Sequence, residues 1–521
     1  MVKETNQINN FLDSLVKKGA IAEAVKKQIE ACGPSPGRLY GLSKVHKEIV
    51  DGIPRQRPII SQINSPTYKV AKYLVQFITP LTTNQYTVRD SFEFSSIINE
   101  KNPHLYMASL DVESLFTNVP LDETTNIIID QIYGTKTKEN NILKSDFRKL
   151  LEFATKGSVF IFDGQYYRQI DGVAMGSPLG PAFANAFLCY YEEQWITSCD
   201  PRYSPVLYKR YVDDIFLLFN SDVDVPLFKD FMNTCHPNIK FTHEVENDGV
   251  LAFLDIRVFR ESGKFLTSIH RKATFSGIYS NFNSYIPEEY KSGLIRTLLF
   301  RSFSLVSNEE LFHKEVEKLK ETLHKNAYPT KFVGKCIRIF SSKIHEEKKT
   351  YTTVPRKEIN LVLPFLGSMS LSIRSKLLKA FNKTMPACKL KVIFKTPPKL
   401  GSYFRFKDII PRSLISHVLY KYKCSRCNST YIGKSKRYWE KRLEEHLSIS
   451  ALTGKPLKCF KMWPPKEHDV KCSASICRES FSIVGIDQND FILRVKESLL
   501  IYQQSPKLNI QSESTKLFLF N

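Results

Sequence analysis

Two adjacent carboxylates inside an apolar run constrain this chain more than any other feature of its sequence. Asp213 and Asp214 interrupt LYKRYVDDIFLLF, residues 207–219, where the flanking apolar residues predict a strand, a tight turn and a second strand. Because an unpaired charge is costly to bury, the turn must lift both carboxylates to the edge of the sheet. The pattern fits either a solvated surface turn or a metal site.

A second predicted strand also ends in an acid. Asp111 follows the apolar part of HLYMASLDVESLF. Carboxylates at two strand ends can hold two Mg²⁺ (or Mn²⁺) ions, which prefer hard oxygen ligands. Such an ion pair activates an attacking hydroxyl and stabilises a leaving pyrophosphate. Asp111, Asp213 and Asp214 are therefore candidate Mg²⁺ ligands of a nucleotidyl-transfer site.

Glycine-rich and basic segments accompany these acids. GVAMGSPLGPAFANAFL, residues 172–188, predicts a turn that runs into a helix, and Gly176 would let the backbone approach a template base or nucleotide closely. GRLYGLSKVHK and IPRQRPIIS supply basic side chains that could clamp a triphosphate. These side chains are Lys44, Lys47, Arg55 and Arg57.

The charge balance indicates a polyanionic partner. The 521 residues carry a net charge of +22, and cationic side chains release the counterions that surround nucleic acid. The same charge balance would be found in a generic basic protein, or in a protein whose partner is an anionic membrane surface. The hydrophobic content of 42% supports folded cores, and the length predicts two or three domains.

The sequence shows no signal peptide and no membrane segment. MVKETNQINNFLDSLVKKG lacks an apolar h-region, and no apolar run approaches the length of a membrane span. We expect an intracellular protein whose 11 cysteines form no disulfide framework. Five of these cysteines fall between Cys424 and Cys477, which indicates a local metal site.

Residues 416–448 predict a hairpin that carries half of a zinc site. HVLYKYKC and STYIGKS form its strands, with Tyr420 and Tyr431 facing each other near the open end. Cys424 and Cys427 in the connection can offer two thiolates to one Zn²⁺ ion. Five residues are close enough in sequence to complete the site: His446, His468, Cys459, Cys472 and Cys477. Of these we favour His446 and His468.

Two helices are predicted beyond the hairpin. SKRYWEKRLEEHLS would begin after Ser435 as N-cap and would place Arg442 and His446 on one face. NDFILRVKESLLIYQQ would begin at Asn489 or Asp490. Its predicted apolar stripe consists of Phe491, Ile492, Val495, Leu499 and Tyr502. Glu497 lies off that stripe, and the pattern alone makes it a solvated residue.

The first group of motifs carries a family resemblance. RPIIS, SLDVESLFTNVP, MGSPLGPAFANAFL, YVDD and LAFLDIRV resemble the successive motifs of reverse transcriptases, and their wording is similar to Penelope-like retroelements, relatives of telomerase. The resemblance covers residues 38–300. It implies that Asp111 and Asp213 bind metal directly and that Asp214 supports them. It also implies that Phe116 favours dNTPs by excluding a 2′-hydroxyl, although Phe116 is equally interpretable as a core residue.

The C-terminal motifs resemble the GIY-YIG nuclease family, which Penelope-like elements carry behind their polymerase. The resemblance rests on Tyr420, Tyr431-Ile-Gly, Arg442, His446, Glu497 and Asn509. The first triplet departs from the family and reads VLY. The family implies that Glu497 holds Mg²⁺ (or Mn²⁺), that Arg442 stabilises phosphate charge, and that a tyrosine or His446 activates water. His446 cannot readily serve both there and as a zinc ligand.

These patterns predict an α+β multidomain chain, with a right-hand polymerase of fingers, palm and thumb followed by a small αβ GIY-YIG nuclease. The predicted segments are 1–36 (N-terminal helices), 37–270 (fingers and palm), 271–345 (thumb), 346–414 (connector) and 415–515 (nuclease with a zinc knuckle). Only residues 1–36 precede GRLYG, whereas the family carries a longer extension there.

The resemblance implies an RNA-directed DNA polymerase coupled to a DNA-nicking endonuclease, acting in the nucleus. A nick in target DNA would supply the 3′-hydroxyl that primes copying of a template RNA from dNTPs, which is target-primed reverse transcription. Two rival interpretations stay open. One is a non-catalytic nucleic-acid-binding protein derived from such an element, and the other is a telomerase-like polymerase with an inert nuclease.

Overall fold

The computed structural model describes residues 1–43, 49–50, 52–134, 141–345, 357–396, 398–404, 408–449, 463–473 and 476–509. Lys44 and Lys47, which were predicted to contact a triphosphate, lie outside these ranges. Within them, no helix combines the length and the apolar character needed to cross a membrane.

The N-terminal segment forms the two predicted helices, α1 (Val2–Lys17) and α2 (Glu23–Ile29). Ile8, Leu12 and Leu15 of α1 recur on one helical face and are buried in the main core. The loop after α2 contacts the C-terminal region, because Tyr438 Oη donates a hydrogen bond to the Pro34 carbonyl at 2.8 Å. The N-terminal segment therefore contacts both the main core and the C-terminal region.

The following region alternates strands and helices. Its elements are β1 (Gly37–Ser43), β2 (Ile49–Val50), β3 (Ile53–Pro54), β4 (Gln56–Ser61), α3 (Tyr68–Ile78), α4 (Ser91–Asn99), β5 (Tyr106–Val112), α5 (Leu115–Asn118), α6 (Leu121–Gly134), α7 (Lys144–Lys156), β6 (Val159–Phe162), β7 (Gln165–Arg168), α8 (Gly180–Ser198), β8 (Leu207–Tyr211), β9 (Asp214–Phe219), α9 (Asp224–Cys235) and β10 (Phe241–Val245). One four-stranded sheet has the order β4-β1-β6-β7. A second has the order β10-β5-β9-β8 and is called the palm sheet below, because it lies in the segment predicted to form the fingers and palm.

A smaller antiparallel sheet and three helices complete the polymerase-like part. They are β11 (Val250–Phe253), β12 (Ile256–Glu261), β13 (Lys264–Ile269), α10 (Glu288–Leu305), α11 (Glu309–Lys325) and α12 (Thr330–His345). The hairpin predicted around Glu-Ser-Gly is confirmed, with Ser262 and Gly263 in its turn. The mostly helical pattern predicted after residue 275 is also confirmed, and the helices share a core that includes Leu299 and Leu319.

The palm sheet is covered on both faces, which explains why its strands read as nearly continuous apolar runs. Leu110 and Ile215 belong to the main core, which includes buried residues of α3, α6, α7, α8 and α9. Met107 and Phe216 belong to the cluster formed with β11–β13 and α4. Side chains alternate along each strand, so the two sets lie on opposite faces.

The predicted connector contains a folded β-α-β unit made of β14 (Lys357–Pro364), α13 (Met369–Thr384) and β15 (Cys388–Lys395). The two strands are parallel, so the chain must cross over between them, and α13 supplies the crossover. Tyr290 Oη of α10 donates to the Phe394 carbonyl at 2.8 Å, and Arg374 pairs with Glu289. The unit is thereby attached to α10, a helix of the segment predicted to be the thumb.

The C-terminal region is a three-stranded antiparallel sheet with the order β17-β16-β18 and flanking helices. Its elements are β16 (Val418–Lys423), β17 (Thr430–Ser435), α14 (Trp439–Leu447), α15 (Pro464–Cys472), β18 (Phe481–Ile486) and α16 (Asp490–Gln504). The predicted Ser435 cap is wrong, since Ser435 ends β17 and Tyr438 precedes α14. Asn489 caps α16 by accepting hydrogen bonds from two backbone N–H groups, as predicted.

The predicted apolar stripe of α16 is wrong. Phe491 and Tyr502 are 71% and 78% exposed, whereas Leu493 is fully buried. Leu500 and Ile501 pack beside Leu493, so the inward face follows the spacing i, i+7, i+8. Glu497, four residues after Leu493, lies on this inward side. The sequence pattern missed this because it assigned the exposed aromatic residues to the buried face.

Candidate active sites

The three predicted aspartates meet at one end of the palm sheet. Asp111 of β5 and Asp214 of β9 are direct cross-strand partners, so their Cβ atoms are about 4.5–5.5 Å apart and point to the same face. Asp213 occupies the tight turn between β8 and β9, because Tyr211 pairs with Asp214 across it. The sheet register therefore gathers the carboxylates that the sequence separates by about a hundred positions.

The turn that presents Asp213 is strained. Val212 has a φ of +57°, a conformation that is unfavourable for a β-branched residue. Two hydrogen bonds hold it: Val112 N–H donates to the Asp213 carbonyl at 3.1 Å, and Arg210 Nη1 donates to the Val212 carbonyl at 3.0 Å. The strained turn thus depends on its neighbours for its shape.

A buried ion pair supports this turn, and the sequence patterns missed it. Arg210 and Glu192 are 1% and 0% exposed and form a salt bridge. Glu192 also accepts hydrogen bonds from Tyr208 Oη at 3.0 Å and Asn84 Nδ2 at 2.9 Å. The available signal was Arg210 itself, a charged residue on the same face of β8 as the buried Tyr208.

The carboxylates repel one another in the absence of a cation. Burial, followed by the negative charges of Asp213 and Asp111, raises the pKa of Asp214 to about 6, and Lys272 opposes this shift. Unscreened carboxylate oxygens of this kind are the ligands that Mg²⁺ and Mn²⁺ prefer. The donor set therefore fits the predicted metal ions.

The aspartates open into a cleft of about 720 Å³. Its lining includes Arg57 and Phe116, as predicted, together with Glu244 and Lys272, which the sequence patterns did not single out. Arg55 is exposed and is not among the lining residues. The cleft therefore combines a carboxylate cluster with cations that can meet a polyanionic substrate.

Phe116 and Gly176 combine packing with their predicted positions near a nucleotide. Phe116 packs partly against the main core and also lines the cleft, so the two interpretations of this ring are compatible. A Cβ atom on Gly176 would lie 2.2 Å from the Ile60 carbonyl oxygen. Glycine is thus required there for close approach to β4, and the nucleotide contacts of both residues stay predictions.

The C-terminal sheet and helices bring together four of the predicted nuclease residues. Tyr420 Oη and His446 Nε2 are 2.9 Å apart, and the positive charge of Arg442 acts on the Tyr420 hydroxyl. Glu497 is half-buried, the positive charge of Lys434 acts on it, and its own charge acts on Tyr420. The residues thus converge from one strand and two helices.

The tyrosines do not face each other as predicted. Tyr420 pairs with Gly433 and Tyr431 pairs with Tyr422, so the two rings are diagonal neighbours with centroids 6.4 Å apart. A Cβ atom on Gly433 would lie 2.7 Å from Tyr420 Oη. The glycine of the Tyr-Ile-Gly triplet therefore makes room for the Tyr420 hydroxyl.

His446 is enclosed by aromatic rings. Its ring centroid is 3.8 Å from that of Trp463, and it stacks on Phe481 at 5.5 Å. Burial and the nearby Arg442 lower the pKa of His446 to about 2, so the imidazole is neutral at physiological pH. A neutral Nε2 can accept a hydrogen bond from Tyr420, whose pKa is raised by burial.

Burial raises the pKa of Glu497 to about 7, with the charge of Lys434 opposing this shift. Arg442 adds positive charge beside Tyr420 and also pairs with Glu445 at 2.9 Å. The arrangement offers one carboxylate for a divalent ion and one guanidinium for a phosphate.

Asn509, the last residue on which the nuclease resemblance rests, is hydrogen-bonded to the backbone of β17. Its Oδ1 accepts from Ile432 N–H at 2.8 Å, and its Nδ2 donates to the Ile432 carbonyl at 2.8 Å. Both ends of the amide therefore hold β17 in place. This geometry makes Asn509 a positioning residue.

A metal-type cluster lies beside this site. Cys424, Cys427, His468 and Cys472 place their ligand atoms within 4.8 Å of one another. Two thiolates and His468 were predicted, and Cys472 is the fourth member. The assignment of His446 as a zinc ligand is wrong, because its ring packs against Trp463 and Phe481 and its Nε2 is engaged with Tyr420.

The chemistry of the cluster suits a closed zinc site. Three sulfurs and one imidazole are a common structural zinc set. Hydrogen bonding with Ser429 lowers the pKa of Cys427, which favours the thiolate that a metal requires. The cluster also fixes α15 against the β16–β17 turn, and Trp463, immediately before α15, is the residue that stacks on His446.

Comparisons with known proteins bear on the polymerase-like part. Residues 278–338, which include α10 and α11, match the animal helix-turn-helix domain. No curated protein sequence matches the chain. A telomerase from Candida albicans in complex with a fragment of telomeric RNA is a distant structural likeness, with 12% identity and a TM-score of 0.40 over 64% of this chain and 58% of that chain. The Sicinivirus RNA-dependent RNA polymerase is similar at 12% identity and a TM-score of 0.39, over 61% of this chain and 71% of that chain.

The apo telomerase from Candida tropicalis is similar at 13% identity and a TM-score of 0.36, over 60% of this chain and 59% of that chain. The chain thus spans less than two thirds of the telomerase chains it matches. Residues 46–242 match the reverse transcriptase (RNA-dependent DNA polymerase) family, and this range contains Asp111, Asp213 and Asp214. Residues 46–242 thus match a reverse transcriptase domain, and the three aspartates lie within it.

Proposed function

We propose that this chain is an RNA-directed DNA polymerase of the Penelope-like type, coupled to a GIY-YIG endonuclease that nicks DNA. The observation that carries the proposal is the meeting of Asp111, Asp213 and Asp214 at a cleft within the reverse transcriptase domain. In this proposal the nicked target DNA primes the copying of a template RNA. The chain then performs target-primed reverse transcription in the nucleus.

In the palm, Asp111 and Asp213 hold divalent ions and Asp214 supports them. Mg²⁺ (or Mn²⁺) held by these residues would activate the primer 3′-hydroxyl and would stabilise the leaving pyrophosphate. Arg57 lies at the cleft wall, where it can pair with the triphosphate, and Phe116 lies where its ring would meet a 2′-hydroxyl. Arg210 and Glu192 keep the Asp213 turn in its strained shape.

In the C-terminal site, Glu497 holds the metal and Arg442 neutralises phosphate charge. A bound divalent ion polarises the scissile phosphate there. Neutral His446 accepts a hydrogen bond from Tyr420, which orients the phenol toward the reacting water. Gly433 keeps the space for that phenol free, and Asn509 holds the adjacent strand. Zinc at the cysteine cluster is structural.

A paired substitution tests both halves of the proposal. Asp213→Ala should lower primer extension on an RNA template by about 1,000-fold, roughly 4 kcal/mol of transition-state stabilisation, because a metal ligand is lost. Glu497→Gln should lower nicking of supercoiled DNA by a similar factor while keeping the shape of the side chain. Each variant serves as the control for the other, since each should keep the activity that its partner loses.

Equal extension by Asp213→Ala and the parent protein would contradict the polymerase assignment. Nicking that is indifferent to Glu497→Gln would contradict the nuclease assignment and favour a telomerase-like polymerase with an inert nuclease. Loss of neither activity, with nucleic-acid binding retained, would favour a non-catalytic binding protein.

A further inference from the structure

The β-α-β unit that follows the thumb carries an unusual excess of positive charge. Residues 357–399 contain nine lysines and arginines and one acidic residue, which gives a net +8 of the chain's +22. The proposed polymerase and nuclease residues all lie outside this segment. The proposed activities therefore do not account for this positive charge, which indicates a separate polyanionic partner.

One face of α13 concentrates unpaired lysines. Lys376, Lys379 and Lys383 are exposed and follow the spacing i, i+3, i+7, which places them on one stripe of the helix. Ser372 and Asn382 are exposed near the same stripe, and α13 contains no acidic residue. The stripe spans about 10 Å along the helix axis.

Carboxylates of the described residues do not neutralise this stripe. The ion pairs recorded for the unit within those residues use Arg374 and Lys389, which pair with Glu289 and Glu358. The nearby helix α11 is different, since Lys314 and Lys320 pair with Glu310 and Glu317 on their own helix. Two helices of similar length thus differ in the charge that their exposed faces present to solvent.

The unit is held in place rather than suspended on a linker. Arg374 lies on the opposite side of α13, pairs with Glu289 of the thumb and stacks over the Phe394 ring at 4.9 Å. Tyr290 adds a hydrogen bond to the Phe394 backbone. The lysine stripe is therefore presented outward from a fixed position next to α10.

We propose that the outward face of α13 binds the phosphate backbone of a nucleic-acid duplex without reading its sequence. Lysine ammonium groups attract phosphates as point charges, and contacts of this kind position a duplex without specifying bases. The stripe lacks the exposed aromatic side chains on which single-stranded bases stack. The proposal rests on charge and geometry and does not depend on either activity.

Binding can be measured by fluorescence anisotropy with a 20-base-pair RNA–DNA hybrid, without Mg²⁺ or dNTPs and at several salt concentrations. The triple variant Lys376→Ala/Lys379→Ala/Lys383→Ala should raise Kd at least about tenfold and reduce the slope of log K against log salt by about 2–3, since each phosphate contact contributes about 0.9. The matched control, Lys314→Ala/Lys318→Ala/Lys320→Ala on α11, removes the same charge and should change the slope by less than about 1.

A second variant, Lys376→Arg/Lys379→Arg/Lys383→Arg, keeps the charge and should retain the parent slope, which separates charge from folding. Single-stranded RNA of equal length should show a smaller difference between parent and alanine variant. Parent-like affinity of the alanine variant, an equal loss in the α11 control, or a selective loss of binding to anionic vesicles would overturn the proposal. Because Asp213 and Glu497 are intact in every variant, this failure is distinct from failure of the proposed activities.

Discussion

The palm site and the C-terminal site hold their carboxylates by different means. Asp111 and Asp214 are cross-strand partners in a sheet that is buried on both faces. Glu497 instead lies near Tyr420 only because α16 packs on a three-stranded sheet. The first site is fixed by hydrogen-bonded register, whereas the second depends on how separate elements dock.

The supports of the two sites differ accordingly. The Asp213 turn relies on a buried ion pair, which is strongly destabilising to break because one charge is left without its partner. The His446 side relies on aromatic stacking and on α15, which the cysteine cluster ties down. Damage to either support should affect one site and spare the other.

The largest effect is expected at the buried ion pair. Arg210→Met leaves Glu192 buried and uncompensated, so the palm should lose about 3–5 kcal/mol of unfolding free energy. Primer extension should be abolished, while nicking by the C-terminal site should persist at low temperature. Calorimetric unfolding and the two activity assays would measure this.

The exposed ion pair between Lys144 and Asp130 provides the control, since its side chains are 56% and 69% exposed. Lys144→Met should cost less than about 1 kcal/mol. An equally mild effect of Arg210→Met would show that the turn does not depend on the buried pair. Equal loss of nicking would show that the two sites are not independent.

An intermediate effect is expected at the metal cluster. Cys472→Ser removes one of four ligands, so bound zinc should fall well below the level of the parent protein and nicking should decline as α15 and Trp463 lose their anchor. Elemental analysis of the purified protein and the nicking assay would measure this, with extension unchanged. His446→Ala should keep the zinc, and loss of zinc in that variant would restore His446 as a ligand.

The smallest effect is a difference in pH dependence. A carboxylate binds a metal ion in its ionised form, so each activity is present above the pKa of its carboxyl group and lost as the pH falls through it. The raised pKa of about 7 for Glu497 and about 6 for Asp214 predict that nicking fails first on acidification at limiting Mg²⁺. Activity profiles between pH 5 and 8 would show the midpoints in this order, and the reverse order would contradict it.

The same shifts set the sign of the stability change in metal-free protein. Because both folded-state pKa values are raised, the folded protein binds more protons than the unfolded chain between about pH 4 and 7. Stability without metal should therefore fall as the pH rises through that window. Added Mg²⁺ should raise the unfolding temperature more at pH 7.5 than at pH 5.

Much of the polymerase site was predictable from sequence because its information is local. Because an unpaired charge is costly to bury, few positions in the fold suit an acid at the end of an apolar strand. The same is true of two acids in a tight turn between strands. The same holds for the helices of residues 1–29, whose apolar spacing is regular. Arg210 was missed because its partner, Glu192, comes from a different element, α8.

The sequence by itself determined the order of the polymerase motifs, the three aspartates and the cysteine pair at the hairpin tip. Only the tertiary structure decided that Cys472 completes the metal cluster and that His446 is hydrogen-bonded to Tyr420. It also decided that Asn509 holds a strand and that Glu497 faces inward. The physical reason is the range of the interactions. Strand alternation and turns act between neighbours, whereas ligand sets and buried faces depend on which distant elements pack together.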